Sequence, residues 1–290
     1  MIQSMTGFGK ATAELNKRKV TVEVKSLNSK QLDLSVRMPN LYKENEMGIR
    51  NLLSRTLERG KVDFLIFVEN IGNETTTQIN QGVVEAYHSQ ITESAKKLGV
   101  SVPADWFQVL VRMPDVLKYE AQEADVEEWE AVMKVVNEAL KQMQDFRKQE
   151  GAMLQKLFEE KIGNISSLLS EIEPYEAERV DKVKARIMEA LQKIEGFDYD
   201  KNRFEQEMIY YIEKLDINEE KSRLTNHLKY FLETIKSGSG QGKKLGFITQ
   251  EIGREINTMG SKSNNADMQQ IVVRMKDELE QIKEQVLNVL

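Results

Sequence analysis

Cysteine is absent from this chain, which removes disulfides, thiolate metal sites and a cysteine nucleophile together. That absence is compatible with a reducing compartment. Long apolar runs are missing as well. The longest tight one, Phe64-Leu65-Ile66-Phe67-Val68, falls far short of the roughly 20 residues a membrane span needs. Met1-Ile2-Gln3-Ser4-Met5 lacks the charged and apolar regions of a secretory signal. These absences predict a soluble, cytoplasmic protein with no membrane partner.

What is present points to a folded and highly solvated chain, with 40% hydrophobic and 30% charged residues. A net charge of −6 argues at first against a nucleic-acid partner, whose phosphates need cations. The average hides an uneven distribution. Residues 1–72 hold 12 Lys and Arg against 8 Asp and Glu, a balance of +4. Residues 115–130 hold seven acids and one Lys, and residues 236–262 hold five bases against two acids. Basic stretches near both ends leave an anionic partner open, although charge alone does not identify it.

Periodicity predicts an α+β fold, strand-rich at the N-terminus, followed by long helices and a C-terminal helical hairpin bundle. Val20, Val22 and Val24 alternate with polar neighbours, and Leu32, Leu34 and Val36 repeat the pattern after the turn-forming Asn28-Ser29. Met5 to Ala13 reads as an earlier strand, which Gly7 and Gly9 bend or open to another backbone. A helix is expected over Leu41 to Leu57, a buried strand over Val62 to Val68, and a further strand over Thr75 to Ile79. From Val83 the period becomes helical. Asp125 to Leu169 is almost unbroken, Pro174 marks a stop, and another amphipathic helix runs to about Ile194, before Gly196-Phe197-Asp198. Helices over Asn218 to Lys236, Leu245 to Thr258 and Met268 to Leu290 follow, the first two separated by Ser237-Gly238-Ser239-Gly240-Gln241-Gly242. We divide the chain at 1–124, an α+β oligomerisation domain, 125–200, a long helical arm, and 201–290, a helical domain.

Gly242-Lys243 after a glycine run invites a phosphate-loop reading, and the spacing rejects it. Such a loop needs glycine where Ser237 stands and Ser or Thr where Lys244 stands. The flanking helices are more informative. Ile217, Leu224, Leu228, Phe231 and Ile235 make the apolar stripe of the first, with Glu220, Arg223 and His227 lining one side of it. The second has Leu245, Ile248, Ile252, Ile256 and Met259, with Glu251 and Glu255 one turn apart and Arg254 beside them. If the helices fold back antiparallel about the glycine turn, His227 falls opposite Arg254, between the levels of Glu251 and Glu255. Carboxylates bind hard divalent ions, histidine shuttles protons near neutral pH, and arginine grips a phosphate. Such a cluster suits phosphodiester chemistry. The competing reading is a network of surface salt bridges with a histidine at the edge of the core.

The chain also resembles the YicC/YloC family of bacterial proteins. The resemblance rests on Ser4-Met5-Thr6-Gly7-Phe8-Gly9, on Val22-Glu23-Val24-Lys25-Ser26-Leu27-Asn28 with Leu32-Asp33, and on Arg59-Gly60-Lys61-Val62. Near the C-terminus it continues through Glu219-Glu220, Arg223-Leu224 and His227, then Gly242-Lys243-Lys244-Leu245, Phe247, Gln250-Glu251, Arg254-Glu255-Ile256-Asn257-Thr258 and Ser261-Lys262. Gly246 stands where the family usually has an acidic residue, and Gly253 where asparagine is common. The resemblance implies a metal-dependent endoribonuclease acting on single-stranded RNA as a ring-like homo-hexamer, with the N-terminal domain assembling the ring. Taking the hairpin geometry together with the resemblance, we expect Glu251 and Glu255 as ligands of a divalent cation, Mn²⁺ or Mg²⁺, and His227 as proton shuttle or third ligand. Glu220 is expected as a supporting ligand, and Lys243, Lys244, Arg254 and Lys262 as phosphate contacts. A contribution to small-RNA turnover fits this activity. The rivals are an adaptor that clamps RNA for another nuclease, and a purely structural oligomer.

Overall fold

Alternating burial builds the first layer. In the computed structural model, which describes residues 2–15, 18–71, 77–119, 125–193 and 200–290, β1 (Gly7–Leu15), β2 (Arg18–Leu27), β3 (Leu32–Arg37) and β4 (Gly60–Asn70) form one sheet in the order β1-β2-β4-β3. The β1/β2 and β2/β4 pairs are antiparallel, while β3 and β4 run parallel. A parallel pair needs a crossover. Here it is a 3₁₀ turn at Asn40–Asn45 followed by α1 (Glu46–Thr56), so the single helix expected over Leu41 to Leu57 begins as a tighter turn. Val20, Val22 and Val24 of β2, with Val62, Phe64 and Ile66 of β4, are buried on the inner face. Ile49 and Leu53 of α1 join that core.

A small unit follows. The strand pair β5 (Thr77–Ile79) and β6 (Leu117–Tyr119) brackets α2 (Gln81–Leu98) and α3 (Trp106–Leu110). The Asn80 side chain caps α2 by accepting from the Val83 amide. β6 was not anticipated, because three residues are too few to show a period. Residues 75 and 76 of the strand expected over Thr75 to Ile79 lie outside the described residues.

The 46-residue helix α4 (Val126–Glu171) spans roughly 70 Å and serves two cores. Its first half lays Val132, Val136, Ala139 and Met143 on the sheet. Contact is backbone to backbone where β1 crosses it, because a Cβ on Gly9 would lie 2.0 Å from the Ala139 carbonyl oxygen. The expectation that Gly9 admits another backbone is met by this helix. At the anchor of this face, the Tyr42 hydroxyl donates to Glu128 at 2.7 Å, and burial with that hydrogen bond pushes the phenol well above its ordinary pKa. The second half of α4 carries Phe158, Ile162, Ile165 and Leu169 into a helical core. That core is completed by α7 (Asn218–Lys236), α8 (Gly242–Lys262) and α9 (Ala266–Val286). Between them in sequence come α5 (Glu173–Gln192) and α6 (Lys201–Leu215). The break expected at Gly196-Phe197-Asp198 lies outside the described residues.

The two ends of the chain meet. Ser4 bridges Val289, the Met5 amide donates to the Asn288 carbonyl at 2.8 Å, and the Leu290 amide to the Gln3 carbonyl at 2.9 Å. The Gly242 amide donates to the Leu290 carbonyl, and Arg59 donates to the Val289 carbonyl. The start of α8 is therefore tied to both termini and to the turn before β4. Among the described residues, no helix is long and apolar enough to cross a membrane.

Candidate active site

The hairpin of α7 and α8 is zipped by its two apolar stripes. Leu224, Leu228, Phe231 and Ile235 face Leu245, Ile248, Ile252, Ile256 and Met259, and all are buried. Gly238 and Gly240 make the turn with positive φ values of 120° and 80°, a region that side chains with a Cβ rarely enter. Helix α8 is longer than expected, starting at Gly242 and ending at Lys262.

Antiparallel packing of these stripes brings three polar groups together. His227 of α7 and Glu251 and Glu255 of α8 each offer a ligand atom, all within 4.8 Å of one another. Their surroundings differ. Glu251 is exposed, and its nearest cation is the loosely placed Arg254 at 3.9 Å. His227 is half-buried. Glu255 is only 4% exposed, and among the described residues no hydrogen bond or ion pair reaches its carboxylate. Two carboxylates this close attract a cation between them. One nitrogen and two carboxylate oxygens, with open space on the Glu251 side, are a donor set that suits Mn²⁺ or Mg²⁺.

Comparison with known proteins bears on this chemistry. The family model described as "Endoribonuclease YicC-like, N-terminal region" matches residues 2–156, and "Endoribonuclease YicC-like, C-terminal" matches residues 172–290. The chain belongs to the YicC-like family. One relative, a probable endoribonuclease YicC from Clostridioides difficile (strain 630), is 31% identical over 295 residues, covering 100% of each chain. Another of the same name, from Haemophilus influenzae, is 27% identical over 293 residues and covers 99% of each.

The other expected site residues of this YicC-like chain are distributed around the hairpin. Glu220 stands two helical turns from His227, about 10 Å along the axis, and is not part of the cluster. Its carboxylate is buried and accepts from Lys262 Nζ at 2.7 Å, while Lys262 also donates to the Asp216 carbonyl at 2.8 Å. These two expected site residues thus clasp each other at the open end of the hairpin. Arg223 pairs with Glu219 on the surface. At the closed end, Lys243 and Lys244 are exposed. Arg254 projects into solvent on the same helix. Gly246 is half-exposed, and a Cβ there would lie 3.9 Å from Val286 Cγ1, so this YicC-like site accommodates a larger side chain at that position. Gly253 is tighter, at 3.2 Å from Leu279 Cδ2.

Two aromatics flank the cluster in sequence without having been expected in the site, although Phe247 is among the residues that carry the resemblance. Tyr230 lies three residues after His227, and Phe247 four before Glu251, each interrupting the polar side of its helix. An exposed aromatic on the polar face of an amphipathic helix is the signal that could have marked them.

Proposed function

We propose that this protein is a divalent-cation-dependent endoribonuclease that hydrolyses phosphodiester bonds in single-stranded RNA. The single observation that carries this is the convergence of His227, Glu251 and the largely buried Glu255 in a YicC-like chain. The names of the two relatives support the same reading.

Hydrolysis adds water across one P–O bond. The water oxygen joins phosphorus, the bond to the leaving ribose oxygen breaks, and a proton reaches that oxygen. Glu251 and Glu255 would hold the cation, which when bound would supply charge stabilisation at the phosphate oxygens and acidify water. His227 takes or returns the proton, as an imidazole does near neutral pH. Lys243, Lys244 and Arg254 hold flanking phosphates from the exposed side of α8, with Lys262 and Glu220 supporting the hairpin's open end.

The same reading has the protein act in the cytoplasm as a homo-hexamer assembled through its N-terminal strands, and contribute to small-RNA turnover. Support for assembly comes from the outer face of the sheet, where Phe8, Leu27, Leu65 and Phe67 are 38–60% exposed.

The test is a labelled single-stranded RNA incubated with highly purified wild type and a Glu251→Gln variant, with Mn²⁺ or with EDTA. Cleavage should require the metal and fall by about 10²-fold or more in the variant. RNA that is bound but left intact by wild type would instead make the protein an adaptor for another nuclease.

A further inference from the structure

Residues 216–290 contain three aromatic side chains, Tyr230, Phe231 and Phe247. Phe231 does the expected work of an aromatic in a helical bundle. It is fully buried and meets Phe158 of α4 edge to face, with ring centroids 5.6 Å apart. The other two do not. Tyr230 is 45% exposed and Phe247 69% exposed, so neither contributes much to the core.

Their placement is not scattered. On an α-helix a step of four residues returns to within about 40° of the same direction, so Phe247 lies on the Glu251 side of α8, between Lys243 and Glu251. On α7, Tyr230 is one turn from His227, displaced toward the same closed end. The hairpin is in register there, since Lys244 Nζ sits 4.6 Å from the centre of the Tyr230 ring. Two exposed rings therefore lie one turn from the His227–Glu251–Glu255 cluster, bordered by the ammonium groups of Lys243 and Lys244.

From this arrangement we infer that Phe247 and Tyr230 form a stacking platform for a base of single-stranded RNA beside the bond to be cut. The inference rests on the RNA reading proposed above. Charge complementarity selects the occupant. Exposed apolar rings alone would suit many partners, but rings rimmed by lysines match a polyanion that also presents flat faces. An unpaired base can turn its face to the platform while its phosphates reach Lys243 and Lys244, whereas a base in a duplex is already stacked on both sides. The platform thus acts as a positioning and strand-selecting element, and the carboxylate cluster remains the reacting centre.

The experiment is fluorescence anisotropy of the full-length protein with a fluorescein-labelled single-stranded RNA, in EDTA so that the RNA stays intact. Phe247→Ala should weaken binding about 10-fold, the size of one lost base stack. Phe247→Trp should restore it. The slope of log K against log salt should be the same in all three proteins, because stacking releases no counterions. Lys243→Ala/Lys244→Ala, in contrast, should lower that slope by about one unit per lysine. Double-stranded RNA of the same sequence should not distinguish Phe247→Ala from wild type. Binding of Phe247→Ala within twofold of wild type would overturn the platform, as would failure of Trp to restore affinity. Failure of the nuclease reading looks different. RNA would be bound with the Phe247 dependence but not cut when Mn²⁺ replaces EDTA, and the platform would stand.

Discussion

Glu255 concentrates the energetics of the candidate site. Glu255 is 4% exposed, no hydrogen bond or ion pair reaches it among the described residues, and Glu251 stands close by, so a cation placed between the two carboxylates would be attracted by both. A ligand that binds only the folded state stabilises it, by about 2.7 kcal/mol at 100 times its dissociation constant. Mn²⁺ should therefore raise the melting temperature of wild type by about 5 °C or more over EDTA. Glu255→Gln should not respond to Mn²⁺. A wild type indifferent to Mn²⁺ in thermal-shift measurements would count against the metal reading. The spacing of Glu251 and Glu255 was readable in the sequence, since i and i+4 share a helix side. The unequal burial of the pair was not, because it depends on how closely α7 covers α8.

At the level of elements, α4 shows how one helix can carry glycines for opposite reasons. Gly151 lies under the N-terminal segment, and a Cβ there would stand 2.1 Å from the Ile2 carbonyl oxygen. Backbone must move to make room, so Gly151→Ala should lower stability by about 1–3 kcal/mol, as overpacking does. Gly163 has nothing within 4 Å of its Cβ position. There the alanine should instead stabilise by about 0.5–1 kcal/mol, the helix-propensity difference. Chemical denaturation of the two variants decides the matter, and equal shifts of the same sign would refute the close approach. Sequence pattern shows both residues as mild interruptions of a helical run. Only the path of residues 2–5 over the helix separates them.

The whole molecule is organised around α4 and the paired termini. Because the sheet core and the helical core share this helix, and because residues 288–290 pair with residues 3–5, the hairpin carrying the cluster is fixed to the N-terminal sheet. A ring assembled through the strands would then hold several such hairpins in a constant orientation. Sedimentation velocity at micromolar concentration should show a species well above the 33.4 kDa monomer. Leu65→Lys/Phe67→Lys, on the outer face of β4, should shift it toward monomer without loss of helix content. A wild type that sediments only as monomer would remove the proposed ring.

Local chemistry accounts for much of this architecture. Alternating valines specify β2, a 3.6-residue apolar period specifies α7, α8 and α9, and glycines with positive φ close the hairpin, since each signal acts between residues adjacent in the chain or one turn apart. The facing of His227 with Glu251 and Glu255 was within reach for the same reason, because one antiparallel turn sets the register of the two helices. Long-range packing carries the rest. The joining of the termini, the sharing of α4 between two cores and the clasp of Glu220 by Lys262 all depend on surfaces far apart in sequence. No periodicity encodes such contacts, because burial of a side chain is a property of what lies against it.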